Sequence, residues 1–313
     1  MIRTRREAGH LVSTRAPLVA VFLFTLLGCE GADRMSSPAS DMDPAPSFAA
    51  SRFAGIPFGT TAQPISLFGP TYTGGLINPV YPDSLLSYLA AIKAAKGRVV
   101  LSLPGGPGGY TNADGTFNLD KWKTRVSRYN VVNFDSYIND GTIIGNYIID
   151  QPNCSSCWGG VSISADMVEA MAQYSKSIWP NMATIARADP TWLATYAGQY
   201  TSLDAGWAQY VMRKGDANTY LSDNVAAAQS KGLRLIVGLN VLKGGLNETS
   251  LTATQVKDFG SIMLSSSYSC AFISWQYNSA YFSQSDITSA MSTLSKKAAR
   301  HVASSCARAP AAP

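Results

Sequence analysis

Residues 143–152 read Ile-Ile-Gly-Asn-Tyr-Ile-Ile-Asp-Gln-Pro, a nearly unbroken run of β-branched and aromatic side chains that stops on a carboxylate and then a proline. A strand with one wet face alternates polar and apolar residues. This run does not, so it predicts a strand covered on both faces, as in a parallel sheet. Asp150 then stands where the strand leaves the core. Parallel strands need long crossovers between them, usually helices, so the rest of the chain must supply alternating strands and helices.

It does. Residues 64–73, 98–103, 182–187, 200–204 (leading into 205–210), 233–240 and 270–277 predict further strands, and 83–96, 119–129, 134–138, 165–179, 217–231, 254–265 and 286–300 predict helices. Gly97 and Gly232 close two of the helices, Pro180 stops a third, and Ser285 or Asp286 caps the last. About seven βα units with room for an eighth predict a single-domain (β/α)8 barrel over 52–306. A doubly wound open parallel sheet is the alternative, but no G-x-G-x-x-G opens a helix after the first strand. Residues 307–313 are expected to form a disordered tail.

The front of the chain is not barrel. Arg3, Arg5, Arg6 and Arg15 precede an apolar stretch, 16–28, that is too short to span a bilayer comfortably, the pattern of a targeting leader over 1–28. Its end, Leu26-Leu27-Gly28-Cys29, resembles the lipobox of bacterial lipoproteins. The resemblance implies lipidation of Cys29, a membrane anchor and a place in the cell envelope. Glu30, where an aspartate would argue otherwise, implies the outer membrane. Residues 29–51, rich in Ala, Ser and Pro, are expected to be a flexible tether.

Composition narrows the chemistry. The chain has 25 Lys and Arg against 20 Asp and Glu; the leader holds four Arg and one Glu, so the remainder is close to balanced. No basic patch argues for nucleic acid. Outside the leader the sole histidine is His301, at the end of the last helix, so a histidine-based triad or multi-histidine metal site has no basis. No Walker A motif is present. Neither cofactor nor metal is expected, and the protein is expected to be monomeric. Cys154, Cys157, Cys270 and Cys306 form an even set for an oxidising compartment. Cys154 and Cys157 are close enough in sequence to close a loop beside Asp150, and Cys270 with Cys306 would pin the C-terminal segment. With no second C-x-x-C and no usable histidine, structural disulfides are expected rather than a redox or zinc motif.

In a barrel, strand ends converge on one rim. Strand ends here collect Tyr72, Asp150, Arg187, Asp204, Asn240, Trp275 and Gln276, with Trp158, Trp207 and Glu248 just beyond. Aromatic faces stack on sugar rings, amides and arginine bind hydroxyls, and paired carboxylates carry acid/base work. An Arg187–aspartate pair would make its partner nucleophile or base rather than acid. Asp204 reads equally as a helix cap, and Glu248 as a solvated loop residue.

The pattern resembles the superfamily of glycoside-hydrolase-like barrels, most sharply at Tyr147–Pro152. Several families there carry Asp-Glu-Pro with the glutamate as acid; this chain has Gln151 instead. The resemblance implies a glycan-cleaving hydrolase, with Asp150 as acid/base and Asp204 or Glu248 as its partner. Gln151 keeps two alternatives open: a non-catalytic glycan-binding lipoprotein on a degenerate barrel, or a carboxylate-based lyase or isomerase acting on an acidic sugar.

Overall fold

The protein, seen here as a computed structural model, is described over residues 54–77 and 81–308, all within one compact unit, Ser47–Pro313. The leader, Cys29, the whole of the tether and residues 309–313 lie outside the described residues. Eight strands, β1 (Phe58–Thr60), β2 (Gly74–Leu76), β3 (Arg98–Leu101), β4 (Ile143–Asp150), β5 (Thr184–Arg187), β6 (Ala205–Tyr210), β7 (Arg234–Leu239) and β8 (Ser269–Ser274), form one parallel sheet in the order β1-β8-β7-β6-β5-β4-β3-β2. Helices α1 (Pro82–Ala94), α2 (Leu119–Ser127), α3 (Asp135–Asn139), α4 (Ala165–Ile178), α5 (Pro190–Leu193), α6 (Ala217–Ser230), α7 (Ala253–Met263), α8 (Ser279–Phe282) and α9 (Ser285–Ala298) fill the connections. This is the expected single-domain (β/α)8 barrel.

The sheet closes at a seam between β1 and β2. A bridge pairs Thr61 with Leu76, and the Gln63 N–H donates to the Leu76 carbonyl at 3.1 Å. The Gln63 amide oxygen accepts the Thr60 N–H at 3.0 Å, standing in for a strand carbonyl. The backbones are so close that a Cβ on Gly59 would lie 1.8 Å from the Gly74 carbonyl, and one on Gly75 would lie 2.8 Å from the Gln63 side chain. Glycine is therefore required at Gly59, where the obstacle is backbone, and at Gly75 a side chain would push Gln63 out of the seam. These two short strands replace the single first strand expected over 64–73, where the chain instead makes a 3-10 turn at Ile65–Leu67.

Two apolar layers follow. Inside the barrel, Leu76, Val100, Ile185, Trp207, Ile236 and Ile273 pack together with Tyr147. Outside, residues such as Phe58, Ile148, Ile149, Ala208 and Phe272 pack in the larger core cluster that includes the helices' buried faces. The C-terminal segment joins the inner layer through Cys306, disulfide-bonded to Cys270; the second disulfide joins Cys154 to Cys157.

Two expected rim residues belong elsewhere. Asp204 directly precedes β6 instead of ending a strand, so about 20 Å of strand, at roughly 3.3 Å per residue, separates it from the rim. There it is buried. Oδ2 accepts the Thr184 N–H at 2.8 Å and pairs with Lys176 at 2.7 Å, while Oδ1 accepts the Arg308 N–H at 3.0 Å. Arg308 also donates to the Tyr200 carbonyl at 2.6 Å, so residues 307–308 are docked rather than part of a loose tail. The expectation failed because the weakly strand-like Ala-Gly-Trp-Ala segment is the strand: Gly206 lies against Leu193 and Pro190, where a larger side chain would collide. Tyr72 likewise precedes its strand, β2, and stacks on Phe58 at 6.3 Å.

Asp204→Ala leaves two backbone donors and a lysine without their partner. It is expected to lower unfolding free energy in urea by about 3 kcal/mol, with no effect on ligand binding at the opposite end of the barrel. A loss below about 0.5 kcal/mol would contradict the assignment.

Candidate functional site

The rim is built on a break in β4. Its register with β5 runs Asn146–Thr184 and Tyr147–Ile185, then shifts so that Ile149 pairs with Ala186 and Asp150 with Arg187. Ile148 is the extra residue, and both Ile148 and Ile149 pack in the outer core. Strict alternation from Tyr147, which faces the interior, would send Asp150 outward toward the helices. The inserted residue restores it to the interior, the re-aiming that a bulge performs. The Ile148 carbonyl is taken up by the Trp122 indole N–H on α2 at 2.8 Å.

Asp150 then meets Arg187 side by side. Arg187 Nε donates to Oδ1 at 2.6 Å and Nη2 to Oδ2 at 2.8 Å, a bidentate pair. Nη1 donates to the Gln209 amide oxygen at 2.6 Å, and Gln209 Nε2 donates to the Leu239 carbonyl at 3.3 Å. A polar row thus runs from β4 to β7. The Arg187 side chain is buried, whereas that of Asp150 is 42 % exposed. Both carboxylate oxygens accept N–H donors, the arrangement of an acceptor and not of an acid poised to give a proton.

Below this row lies an aromatic floor. Tyr147 meets Trp207 edge-on at 5.8 Å, and the Trp207 N–H donates to the Ile273 carbonyl at 3.2 Å. Burial pushes the Tyr147 hydroxyl far above its ordinary range; the Asp150 charge and its hydrogen bond to Asp150 add to the rise. Burial is the largest influence on Arg187 and acts to lower its pKa, but Tyr147 and Asp150 outweigh it and the net shift is upward. Tyr110, from the loop after β3, is also raised by burial and then by Asp150.

The other expected residues divide. Trp275 and Gln276 follow β8, half-buried, with a cis peptide between them; Asn240 is bridged to Trp275. The Asn240 side chain accepts the Lys243 N–H at 2.8 Å, making it a turn cap as well as a rim residue. Trp207 is buried inside the barrel and Trp158 is buried between Tyr110 and Phe117, so neither presents a face to a sugar. Trp158 instead donates to the Gln151 carbonyl within its own loop at 3.0 Å, and its ring contacts with Tyr110 and Phe117 join that loop to the one after β3. Glu248 is exposed in the loop after β7, with Arg213 and Lys243 each 3.8 Å away. Among the described residues, no three His, Cys, Asp or Glu side chains converge as a metal site requires.

Sequence reasoning missed Gln209, Tyr147 and a second ion pair, Asp189 with Lys214, in which Asp189 also accepts the Tyr220 hydroxyl at 2.7 Å. Asp189, Lys214 and Tyr220 line an open cavity of about 490 Å³ between α5 and α6, with Asp216, Asp223 and Asn224. Gln209 was readable once β6 was placed, because it shares the parity of Trp207.

No family model matches the chain, and no curated protein matches it significantly. Solved structures do. A β-galacturonidase of glycoside hydrolase family 2 from Eisenbergiella tayi superposes with a TM-score of 0.52 at 9% identity, covering 78% of this chain and 50% of that one. A modular endo-β-1,4-mannanase from Cellulomonas fimi gives 0.50 at 13% identity, covering 83% and 76%. Its double mutant gives 0.50 at 14%, covering 80% and 72%. The chain spans half the length of the galacturonidase. At these identities the likeness is one of fold: the chain has a (β/α)8 barrel of the kind found in glycoside hydrolases.

The tyrosines set an alkaline limit. In the unfolded chain they titrate near 10. In the fold Tyr147 lies far above that, and Tyr72 is pushed up to about 12 by burial with Tyr277 adding. The native state holds these protons more tightly, so the stabilisation is complete below pH 10 and is lost as pH rises toward the folded values. Stability in urea should fall as pH rises from about 10 toward about 12. Tyr147→Phe should reduce that slope by up to about 1.4 kcal/mol per pH unit; an unchanged slope would contradict the buried, protonated hydroxyl.

Proposed function

We propose that the chain is a glycan-binding protein of the cell envelope, holding carbohydrate at the rim around Asp150, Arg187 and Gln209 without cleaving it. The grip of Arg187 on both oxygens of Asp150 carries this reading. Carboxylate acid/base cleavage needs two carboxyl groups about 5–9.5 Å apart across the scissile bond. Of the three candidates, Asp150 is engaged by Arg187, Asp204 lies at the other end of the barrel, and Glu248 is a solvated loop residue. Gln151, where related patterns carry an acid, has no proton to transfer. What remains suits recognition: an exposed carboxylate edge, the Gln276 amide and Trp275 for stacking, with Gln209 holding Arg187 and the Leu239 carbonyl so that the row keeps its place. The glycan-directed names of the fold neighbours support carbohydrate as the ligand class.

A second reading, hydrolysis, is favoured by one observation: Asp150 ends β4 with its side chain 42 % exposed, the setting of a nucleophile or base. The acidic-sugar lyase reading loses support, because the Arg187 guanidinium is already engaged by Asp150 and Gln209.

The leader supports lipidation at Cys29 and an outer-membrane or periplasmic-face location, with a monomeric barrel on a tether. Mass analysis of the N-terminal peptide should find acyl chains on Cys29, and Cys29→Ser should move the protein out of the membrane fraction; an unmodified Cys29 in the mature protein would reject the anchor.

A glycan array probed with the barrel should give binding to one class of oligosaccharide, weakened at least tenfold by Asp150→Asn or Gln209→Ala and untouched by Asp204→Asn. No reducing ends should be released. Release that Asp150→Asn abolishes would select the hydrolase, and an array without hits would reject both readings.

A further inference from the structure

The two disulfides differ in setting. Cys270 and Cys306 are buried, 1 % and 3 % exposed, and close a span of 36 residues. Cys157 is exposed and Cys154 half-buried, and they close a span of only three residues in the loop after β4. Attack by a thiolate on a disulfide depends on access to a sulfur. The entropic contribution of a cross-link grows with the loop it closes, so opening the short one removes little from the stability of the barrel.

The short disulfide also sits on the rim. The Cys154 N–H donates to the Gln151 carbonyl at 3.0 Å, the Cys157 N–H to the Cys154 carbonyl at 3.0 Å, and the Trp158 N–H to the Ser155 carbonyl at 3.0 Å. The Cys157 sulfur lies 3.8 Å from the Gln151 side-chain oxygen. Gln151 follows Asp150 directly and holds a backbone φ of 42°, an uncommon conformation for a residue with a side chain that needs its surroundings to maintain it. Trp158, its side chain buried against Tyr110 and Phe117, anchors the far side of the loop.

We propose that Cys154–Cys157 is a reducible site coupled to the rim: a dithiol reductant opens it ahead of Cys270–Cys306, and the opened loop releases Gln151 and weakens ligand binding beside Asp150. A thiolate of the reductant attacks the exposed Cys157 sulfur, the S–S bond breaks, and Cys154 leaves as a thiolate that takes up a proton. The second thiol of the reductant then resolves the mixed disulfide. The reductant leaves as its own disulfide, and two electrons and two protons have passed to Cys154 and Cys157. Only the last step of the proposal, weaker ligand binding, rests on the glycan-binding reading.

The test treats the full chain with graded dithiothreitol, labels free thiols with an alkylating reagent, and maps them by mass spectrometry. Hydrogen exchange over residues 150–163 is followed in the same samples. Cys154 and Cys157 should become labelled at reductant concentrations at least tenfold below those needed for Cys270 and Cys306. Exchange at the Cys154, Cys157 and Trp158 amides should then rise at least tenfold while β6 and β7 stay protected. Cys154→Ser/Cys157→Ser should show the raised exchange without reductant. Against the glycan found on the array, the reduced form and the double variant should bind at least threefold more weakly. Simultaneous labelling of Cys154, Cys157, Cys270 and Cys306 would overturn the proposal, as would unchanged exchange over 150–163. Unchanged affinity of the reduced form for a glycan that the oxidised form binds would overturn the coupling. An oxidised protein that binds no glycan rejects the glycan-binding reading, while the labelling and exchange results still judge the reducible site.

Discussion

The Arg187–Asp150 pair is the interaction on which the upper half of the barrel depends. A buried guanidinium needs an opposing charge and hydrogen-bond acceptors, and truncating one partner of such a pair commonly costs about 3–5 kcal/mol. Here the partner is available only because Ile148 adds a residue to β4. Without it, Asp150 would face the helices and Arg187 would lose its carboxylate. The register shift, the Trp122 bond to the Ile148 carbonyl, and the Tyr147–Trp207 contact beneath therefore form one construction. The same pairing bears on function, because a carboxylate occupied at both oxygens is a recognition element before it is an acid.

The two ends of the barrel hold different kinds of polar group. At the N-terminal end of the strands, Asp204, Lys176, Arg308 and the Cys270–Cys306 disulfide fasten the chain end to the barrel. At the C-terminal end, polar side chains keep exposed edges, and the loops after β3 and β4 are tied together through Trp158. This division of labour is common in (β/α)8 barrels, where chemistry and binding gather at the C-terminal face and stability at the other.

Much of the fold was readable from the sequence because its signals are local. β4, β7 and β8 are strongly apolar runs, the helices have caps or stops, and the cysteines pair as their spacing suggested. What escaped depends on contacts between segments. β1 and β2 are three residues each and exist because Gly59 and Gly75 allow a close approach and Gln63 fills the seam, which no periodicity in residues 54–77 announces. β6 is rich in Ala and Gly, so nothing in the sequence marks its start, and Asp204 precedes the strand where the sequence suggests that it ends one. Asp150 and Arg187 were identified as rim residues and a possible pair, but the inserted residue that turns Asp150 inward is a property of the register with β5. Trp158 and Trp207 looked like stacking platforms because composition cannot distinguish a tryptophan that meets a ligand from one that fills a core.

A crystal structure of the chain with the oligosaccharide that binds it best would decide between holding and cleaving. It should show an intact oligosaccharide lying across Asp150, Gln209 and Gln276, with the Asp150–Arg187 pair unbroken. Cleaved sugar at the rim, or a ligand seated away from Asp150, would contradict binding at this rim without cleavage.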